Sequence, residues 1–260
     1  MNILFAGDIV GRPGRTAIEN LYPLIKEKYS IDFFIANAEN AAGGSGITPD
    51  IARQLHSAGV DVLTTGDHIW KEKTIIDYIA GDPFLLKPAN MSQDTPGAFY
   101  CISSLSNYTI GVICLIGRTF MQPADCPFKT ADYLINKIRE QTPIIIVDFH
   151  AEATSEKQAL ARYLDGRVSA VIGTHTHVQT ADETILPQNT AYITDTGMTG
   201  PFESIIGREI KPVLHRFTTQ MPAFFKVANE DVRLTGVIIS VNNATGKAEN
   251  IQRIQYKLQV

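Results

Sequence analysis

Six short apolar runs, Ile3–Ala6, Phe33–Ala38, Val60–Thr65, Ile110–Ile116, Ile144–Phe149 and Ala170–Ile172, recur along the first two-thirds of the chain. Runs that are apolar on both faces read as strands that must be covered on both sides. Segments with helical pattern alternate with them: Pro13–Lys28, kinked or divided at Pro23; a helix beginning at Pro49 with Thr48 as its cap; a polar helix around Lys71–Ile79; and Ala153–Leu164. This alternation predicts an α/β fold with a helix-covered sheet. In the last third, Ala191–Thr194, Ala223–Ala228, Val232–Val241 and Ala248–Tyr256 read as strands, with a hairpin turn at Asn242–Gly246. That meander closes a second sheet. No repeat or long linker interrupts the chain, so the expectation is a single domain, residues 1–260, with two packed sheets.

Composition narrows the class. The chain has 260 residues, 44% hydrophobic and 19% charged, enough for a sizeable core and too apolar for disorder. Its 23 Lys+Arg against 27 Asp+Glu give a formal net charge of −4, which is no footprint for duplex nucleic acid or an anionic membrane. Cys101, Cys114 and Cys126 are an odd number without CxxC spacing, so no disulfide framework is expected. There is no apolar run of membrane-spanning length and no leader-like N-terminus, so the expected location is cytoplasmic.

What ends each run points to function. The first ends at Gly7-Asp8, the second at Asn37-Ala38-Glu39-Asn40, and the third at Thr65-Gly66-Asp67-His68. The fifth ends at Asp148-Phe149-His150, and the sixth runs into Gly173-Thr174-His175-Thr176-His177. Ligands of covered α/β sheets bind beyond the carboxyl ends of strands. Stability alone has no reason to gather imidazoles and carboxylates there. Their shared physical partner is a divalent metal, and seven ligand groups are too many for one tetrahedral zinc. They suit two ions sharing a carboxylate, and the mixture fits Fe, Mn, Zn or Co without choosing among them. Taken singly, each residue also has a structural reading. Asp8 could be a turn or cap residue, Glu39-Asn40 turn chemistry, and His150 a satisfied core histidine. His175-x-His177 is the most specific signal, because at strand period both rings share a face. His56 and His215 read as ordinary surface residues.

These segments resemble the calcineurin-like metallophosphoesterases, and within them the YmdB-like branch. The resemblance is carried by Gly7-Asp8-Ile9-Val10-Gly11-Arg12-Pro13-Gly14-Arg15, Asn37 through Gly44, Asp148 through Lys157, Gly173 through Val178, and Thr194 through Pro201. It implies a four-layer αββα sandwich of two mixed β-sheets flanked by helices. It also implies two divalent metal ions (Fe, Mn, Zn or Mg) as cofactors. Asp8, Glu39, Asn40 and His177 would hold one ion, and Glu39 would bridge to a second held by Asp67, His150 and His175. His68 would be the proton donor. The implied reaction is hydrolysis of a small-molecule phosphodiester, with 2′,3′-cyclic nucleotides as the substrate class. Homo-oligomerisation is left open. Val10 stands where the wider superfamily carries a histidine, and Asn40 is the residue that would compensate.

One position departs from the family pattern: Gly-Asn-His becomes Gly66-Asp67-His68. With Asp8 and Glu39 this raises the ligand charge from −2 to −3, which predicts tighter metal binding and weaker attraction for an anionic phosphate. Asp148 and Asp195 read equally as acceptors orienting ligand histidines or as buried structural carboxylates. Arg118, Arg12 and Arg15 read as solvated surface residues before phosphate ligands. Two competing functions remain. One is a regulatory or scaffold protein that keeps the metal-binding fold with little or no hydrolysis, to which Asp67 lends weight. The other, ranked last, is a metal-dependent amidohydrolase, whose HxH normally ends the first strand rather than arriving near residue 175.

Overall fold

The computed structural model describes residues 1–105 and 108–259. In chain order the elements are β1 (Asn2–Ala6), β2 (Asp8–Ile9), α1 (Gly11–Tyr29), β3 (Phe33–Asn37), α2 (Pro49–Ser57), β4 (Val62–Thr64), α3 (Ile75–Ile79), β5 (Leu85–Leu86), β6 (Tyr100–Leu105) and β7 (Tyr108–Ile116). They continue with α4 (Pro127–Arg139), β8 (Ile145–His150), α5 (Thr154–Leu164), β9 (Ala170–Thr174), β10 (Thr184–Ile185), β11 (Ala191–Ile193), β12 (Met198–Pro201), α6 (Ile210–Thr219), β13 (Val232–Val241) and β14 (Ala248–Lys257).

The strands form two mixed sheets. The first runs β2-β12-β13-β1-β3-β4-β5, with β14 also paired to β13. Its β1, β3, β4 and β5 are parallel, and β13 is antiparallel to β1. The second runs β10-β11-β9-β8-β7-β6, with β7, β8, β9 and β11 parallel and antiparallel strands at both edges. Side chains alternate faces along each strand. Leu4, Ala6, Phe34, Ala36 and Leu63 therefore face a core with Ile18, Leu21 and Ile25 of α1 and Leu55 of α2. Ile3, Phe5, Phe33, Ile35 and Val62 face the other sheet, meeting Val112, Cys114, Ile146 and Ile172. On the far side of the second sheet, Ile113, Val147 and Phe149 pack with Leu134 and Ile138 of α4 and Leu160 of α5. Helix, sheet, sheet and helix thus make four layers, as the resemblance implied, but the last third does not close the second sheet: β13 and β14 extend the first sheet beside β1, and the second sheet is built around the middle runs β7, β8 and β9 with β11.

Local signals behave as expected at several points. Thr48 caps α2, its hydroxyl accepting from Ile51 N–H, with Pro49 as the first helical residue. The Asn242–Gly246 turn joins β13 to β14, with Gly246 in the left-handed region at φ +70°. Three further readings need correction. α1 is not divided at Pro23 but runs on to Tyr29, because Ala17, Ile18, Leu21, Tyr22 and Ile25 stay buried on both sides of the exposed proline. Packing of that stripe outweighs the lost hydrogen bond. Ala223–Ala228 is not a ladder strand; only Val227 forms an isolated bridge, to Arg208. The helix placed around Lys71–Ile79 is confined to Ile75–Ile79. β6, β12, α4 and α6 carried no sequence signal strong enough to place them. Among the described residues, no helix is long and apolar enough to cross a membrane.

Candidate metal centre

The parallel registers bring the strand ends to one edge. Ala6 lies opposite Ala36, Asn37 opposite Thr64, and His150 opposite Thr174. The two sheets are tied together there, because Asp148 of the second accepts from Asn37 Nδ2 (3.2 Å) and from Thr64 Oγ1 of the first. Glycine is required where the sheets close on His150 and Glu39. A Cβ on Gly66 would sit 2.2 Å from His150 Cδ2 and 2.4 Å from Glu39 Oε2.

Hydrogen bonds behind the histidines set which nitrogen faces the centre. Thr174 Oγ1 donates to Asp148 Oδ1 (2.8 Å), so it accepts from His150 Nδ1–H (2.9 Å). His150 Nε2 then points inward, 3.2 Å from Glu39 Oε1, 3.3 Å from Asp67 Oδ1 and 2.9 Å from His175 Nδ1. His175 uses Nε2 toward Glu152 Oε2 at 3.2 Å, which leaves Nδ1 for the centre. His177 Nδ1 donates to the Ile206 carbonyl (3.1 Å), so its Nε2 turns inward, 3.8 Å from Asp8 Oδ1. One ligand atom from each of Glu39, Asp67, His150 and His175 lies within 4.8 Å of every other.

Such a convergence of lone pairs calls for positive charge. Asp8 Oδ1 and Asp67 Oδ1 are buried without a hydrogen-bond partner, a state that buried carboxylates avoid unless a cation meets them. Protons take up part of that role. Burial alone would lower His150, but Glu39, Asp67 and Asp8 outweigh it and raise the imidazole well above its usual value. Burial likewise pushes Glu39 up, yet His150 and His68 hold its carboxyl well below the ordinary range. His175 is pushed down to about 4 by burial and by His150. Burial raises Asp8, with His177 and His150 opposing it. The donor set fits divalent cations, mixing carboxylate oxygens with imidazole nitrogens.

Glu39 belongs to two groups of side chains. On one side it meets His150; on the other it accepts from Asn40 Nδ2 (3.1 Å), beside Asp8 and His177. Asn40 is the one member of the set whose amide nitrogen, not its oxygen, faces the others, since Oδ1 accepts from His68 Nδ1 (2.7 Å). His68 also receives support at its backbone, where N–H donates to Glu39 Oε2 (3.1 Å).

Asp148 and Asp195 play different parts. Asp148 reaches His150 through Thr174 and is raised to about 6, chiefly by burial. Asp195 makes no hydrogen bond to an imidazole among the described residues. It accepts from Thr176 N (3.0 Å), Thr176 Oγ1 (2.8 Å), Gly197 N (2.8 Å) and Lys157 Nζ (2.8 Å), so it pins the residue between the two histidines. Contrary to the expectation from sequence, His175 and His177 do not sit at strand period: β9 ends at Thr174, and they lie in a turn with φ of +103° and +63°, a region costly for side-chain-bearing residues, which is why the turn needs pinning. Glu152, Lys157, Ile206 and Arg208 were not singled out from sequence. Glu152 had one usable signal, its place two residues beyond His150, and Lys157 another, a charge on the helical stripe of Leu160, Ala161 and Leu164; Ile206 and Arg208 had none. Arg208 binds the carbonyls of Gly43 (3.0 Å) and Gly44, and Arg15 binds that of Ala41 (2.5 Å), bracing the loop after Asn40. Arg12 and Arg118 are exposed, as expected. His56 is half-buried and not a plain surface residue: its Nδ1 meets the Val60 carbonyl (2.8 Å) and its Nε2 lies 3.3 Å from Asp82.

The family model of the YmdB-like proteins matches residues 4–254. This chain belongs to the YmdB-like family. A 2′,3′-cyclic-nucleotide 2′-phosphodiesterase of Bacillus subtilis (strain 168) is 49% identical over 254 residues, covering 98% of this chain and 96% of the relative. A hypothetical protein from Thermus thermophilus superposes with a TM-score of 0.92 at 39% identity, covering 99% of both chains. The crystal structure of a novel phosphatase from Mycoplasma pneumoniae gives 0.93 at 34% identity, covering 99% of this chain and 93% of that one. The αββα architecture is thus that of the YmdB-like family, and divalent metal is the cofactor class for which its strand-end cluster is built.

Proposed function

We propose that this chain is a metal-dependent phosphodiesterase of the YmdB-like family that opens the cyclic phosphate of 2′,3′-cyclic nucleotides, using two divalent cations. The observation that carries the reading is the convergence of Glu39, Asp67, His150 and His175, next to a buried Asp8 oxygen with no partner. These four would hold one cation. Asp8, His177 and Asn40 would hold the other with Glu39 shared, once the Asn40 amide turned its oxygen inward. Iron, manganese, zinc and magnesium are the candidates. Bound there, divalent cations supply charge for the phosphoryl oxygens and make water a nucleophile at neutral pH. The 49% identity to a 2′,3′-cyclic-nucleotide phosphodiesterase supports the substrate class. The whole chain acts as one metallophosphoesterase domain, and its free cysteines suit a cytoplasmic setting.

The protein's own groups manage the proton and the geometry. The bond to Glu39 raises His68, with burial opposing, which favours its protonated form. Its Nδ1 faces inward, 3.3 Å from Glu39 Oε1, a contact that survives the turn of the Asn40 amide, and its side chain is 31% exposed, so Nε2 is the nitrogen open to a substrate oxygen. A ribose alkoxide is a poor leaving group, and a positioned acid contributes roughly 10²–10⁴-fold. Thr174, Glu152 and the Ile206 carbonyl fix the three imidazole rings, and Asp195 fixes the backbone between two of them.

Protein stripped with a chelator and reloaded with Mn²⁺ or Fe²⁺ should convert 2′,3′-cyclic AMP to a phosphomonoester, followed by phosphorus NMR. Metal bound at the site with no such product would instead establish the scaffold reading, which the extra carboxylate of Asp67 favours. His68→Ala should slow esters with alkyl leaving groups strongly and nitrophenyl esters weakly; equal losses would refute the acid role.

A further inference from the structure

We propose that a groove along α6 holds the nucleobase and ribose of the substrate, an assignment that rests on the phosphodiesterase reading above. The groove encloses about 720 Å³, a volume usual for small-molecule sites. Ile206, Arg208, Val213, Arg216, Phe217 and Phe225 form its walls, and no carboxylate does among the described residues. One wall of it is tied by hydrogen bonds to the metal centre. The Ile206 carbonyl accepts from His177 Nδ1, and Arg208 joins the carbonyls of Gly43 and Phe225 (3.0 and 3.3 Å), so one wall is bonded both to a ligand histidine and to the loop after Asn40.

The lining has the chemistry of a nucleotide seat. Arg216 lies over the Phe225 ring at 5.5 Å and makes no ion pair among the described residues, so its planar guanidinium is available to stack on a base. Phe217 is 80% exposed and offers a flat apolar face. Aromatic rings interleaved with arginine are the surface on which unpaired bases stack. Ile206 adds a second, independent sign. A β-branched residue at φ +45° is a conformational outlier, and it turns a 56% exposed apolar side chain outward at the rim of the site. Arg208, already engaged with carbonyls, shapes the wall; Arg216, Phe217 and Phe225 meet the ligand.

The test compares two substrates with the same reacting bond on the metal-loaded protein: 2′,3′-cyclic AMP and the 2′,3′-cyclic phosphate of methyl riboside, which lacks a base. The ratio of their kcat/KM values should favour the nucleotide. Replacing Arg216→Ala and Phe217→Ala together should lower that ratio about tenfold, through KM for the nucleotide, while Phe217→Tyr should keep it. A ratio unmoved by the double substitution overturns the proposal. An oligomer of the parent that the double variant dissolves, with the ratio unmoved, also overturns it and assigns the groove to a second copy. Should neither ester be hydrolysed, the phosphodiesterase reading fails by itself. The groove is then judged by equilibrium binding of adenosine 3′-monophosphate against methyl riboside 3-phosphate: a preference lost in the double variant supports it, and equal binding refutes it.

Discussion

Replacing Lys157 by Met removes the ammonium that meets Asp195 while keeping the length of the side chain. Lys157 is 1% exposed and Asp195 0%, with Nζ 2.8 Å from Oδ2. Deleting one partner of a buried ion pair costs ~3–5 kcal/mol, because the other charge stays buried. Three donors remain to Asp195, from Thr176 N, Thr176 Oγ1 and Gly197 N, which points to the low end, about 3 kcal/mol. At roughly 2–4 °C per kcal/mol for a chain of this size, Tm should fall by about 6–12 °C. The Asp195 that anchors the left-handed turn carrying His175 and His177 loses its cationic partner at the same time, which loosens the anchor, so affinity for Mn²⁺ should drop about 10- to 100-fold. Urea unfolding of metal-free protein and calorimetric titration with Mn²⁺ read the two effects separately. The paired substitution Lys157→Met with Asp195→Asn leaves no orphaned charge and should cost less than the sum of the two single changes. A Lys157→Met protein within about 0.5 kcal/mol of the parent, or a strictly additive double variant, would refute the argument.

Three further outcomes follow from the same geometry. Asp67→Asn restores a neutral ligand, so metal affinity should fall and turnover at saturating metal should rise; equal or lower turnover speaks against the charge argument. Gly66→Ala forces a methyl group into His150 and Glu39, so metal titration should show loss of binding while far-UV circular dichroism keeps the parent spectrum. Burial would lower His56, but Asp82 and the Val60 carbonyl outweigh it and raise the imidazole; burial would raise Asp82, but His56 and other donors hold it down. The histidine's contribution is complete below its unfolded value of about 6.5 and is lost as pH rises through its folded value; that of Asp82 is present above about 3.9 and lost on acidification. His56→Gln should therefore lower stability most between about pH 4 and 6.5, and a pH-independent difference in urea midpoints would exclude the pair as the cause.

Much of the architecture is written locally. A run such as Ile3–Ala6 has to be covered on both faces, and here it is, by helices on one side and by the second sheet on the other. The residue types at the strand ends are equally local, which is why Asp8, Glu39, Asp67, His150, His175 and His177 are legible as one kind of chemistry before any contact is known. Short or exposed elements are not: β12 lasts four residues, α6 buries only Val213, and Ala223–Ala228 alternates like a strand but finds no ladder. The tertiary structure alone decides how the strand ends meet. His175 N–H reaches Asp8 across 167 residues, and the inward nitrogen of each imidazole is chosen by Thr174, Glu152 or the Ile206 carbonyl behind it. Lys157 meets Asp195 from the buried stripe of α5, where periodicity places its ammonium beside Leu160, Ala161 and Leu164 but names no partner for it. Periodicity follows from a residue's near neighbours along the chain, whereas ring orientation and ion pairing follow from strand register and sheet packing, which no single segment contains.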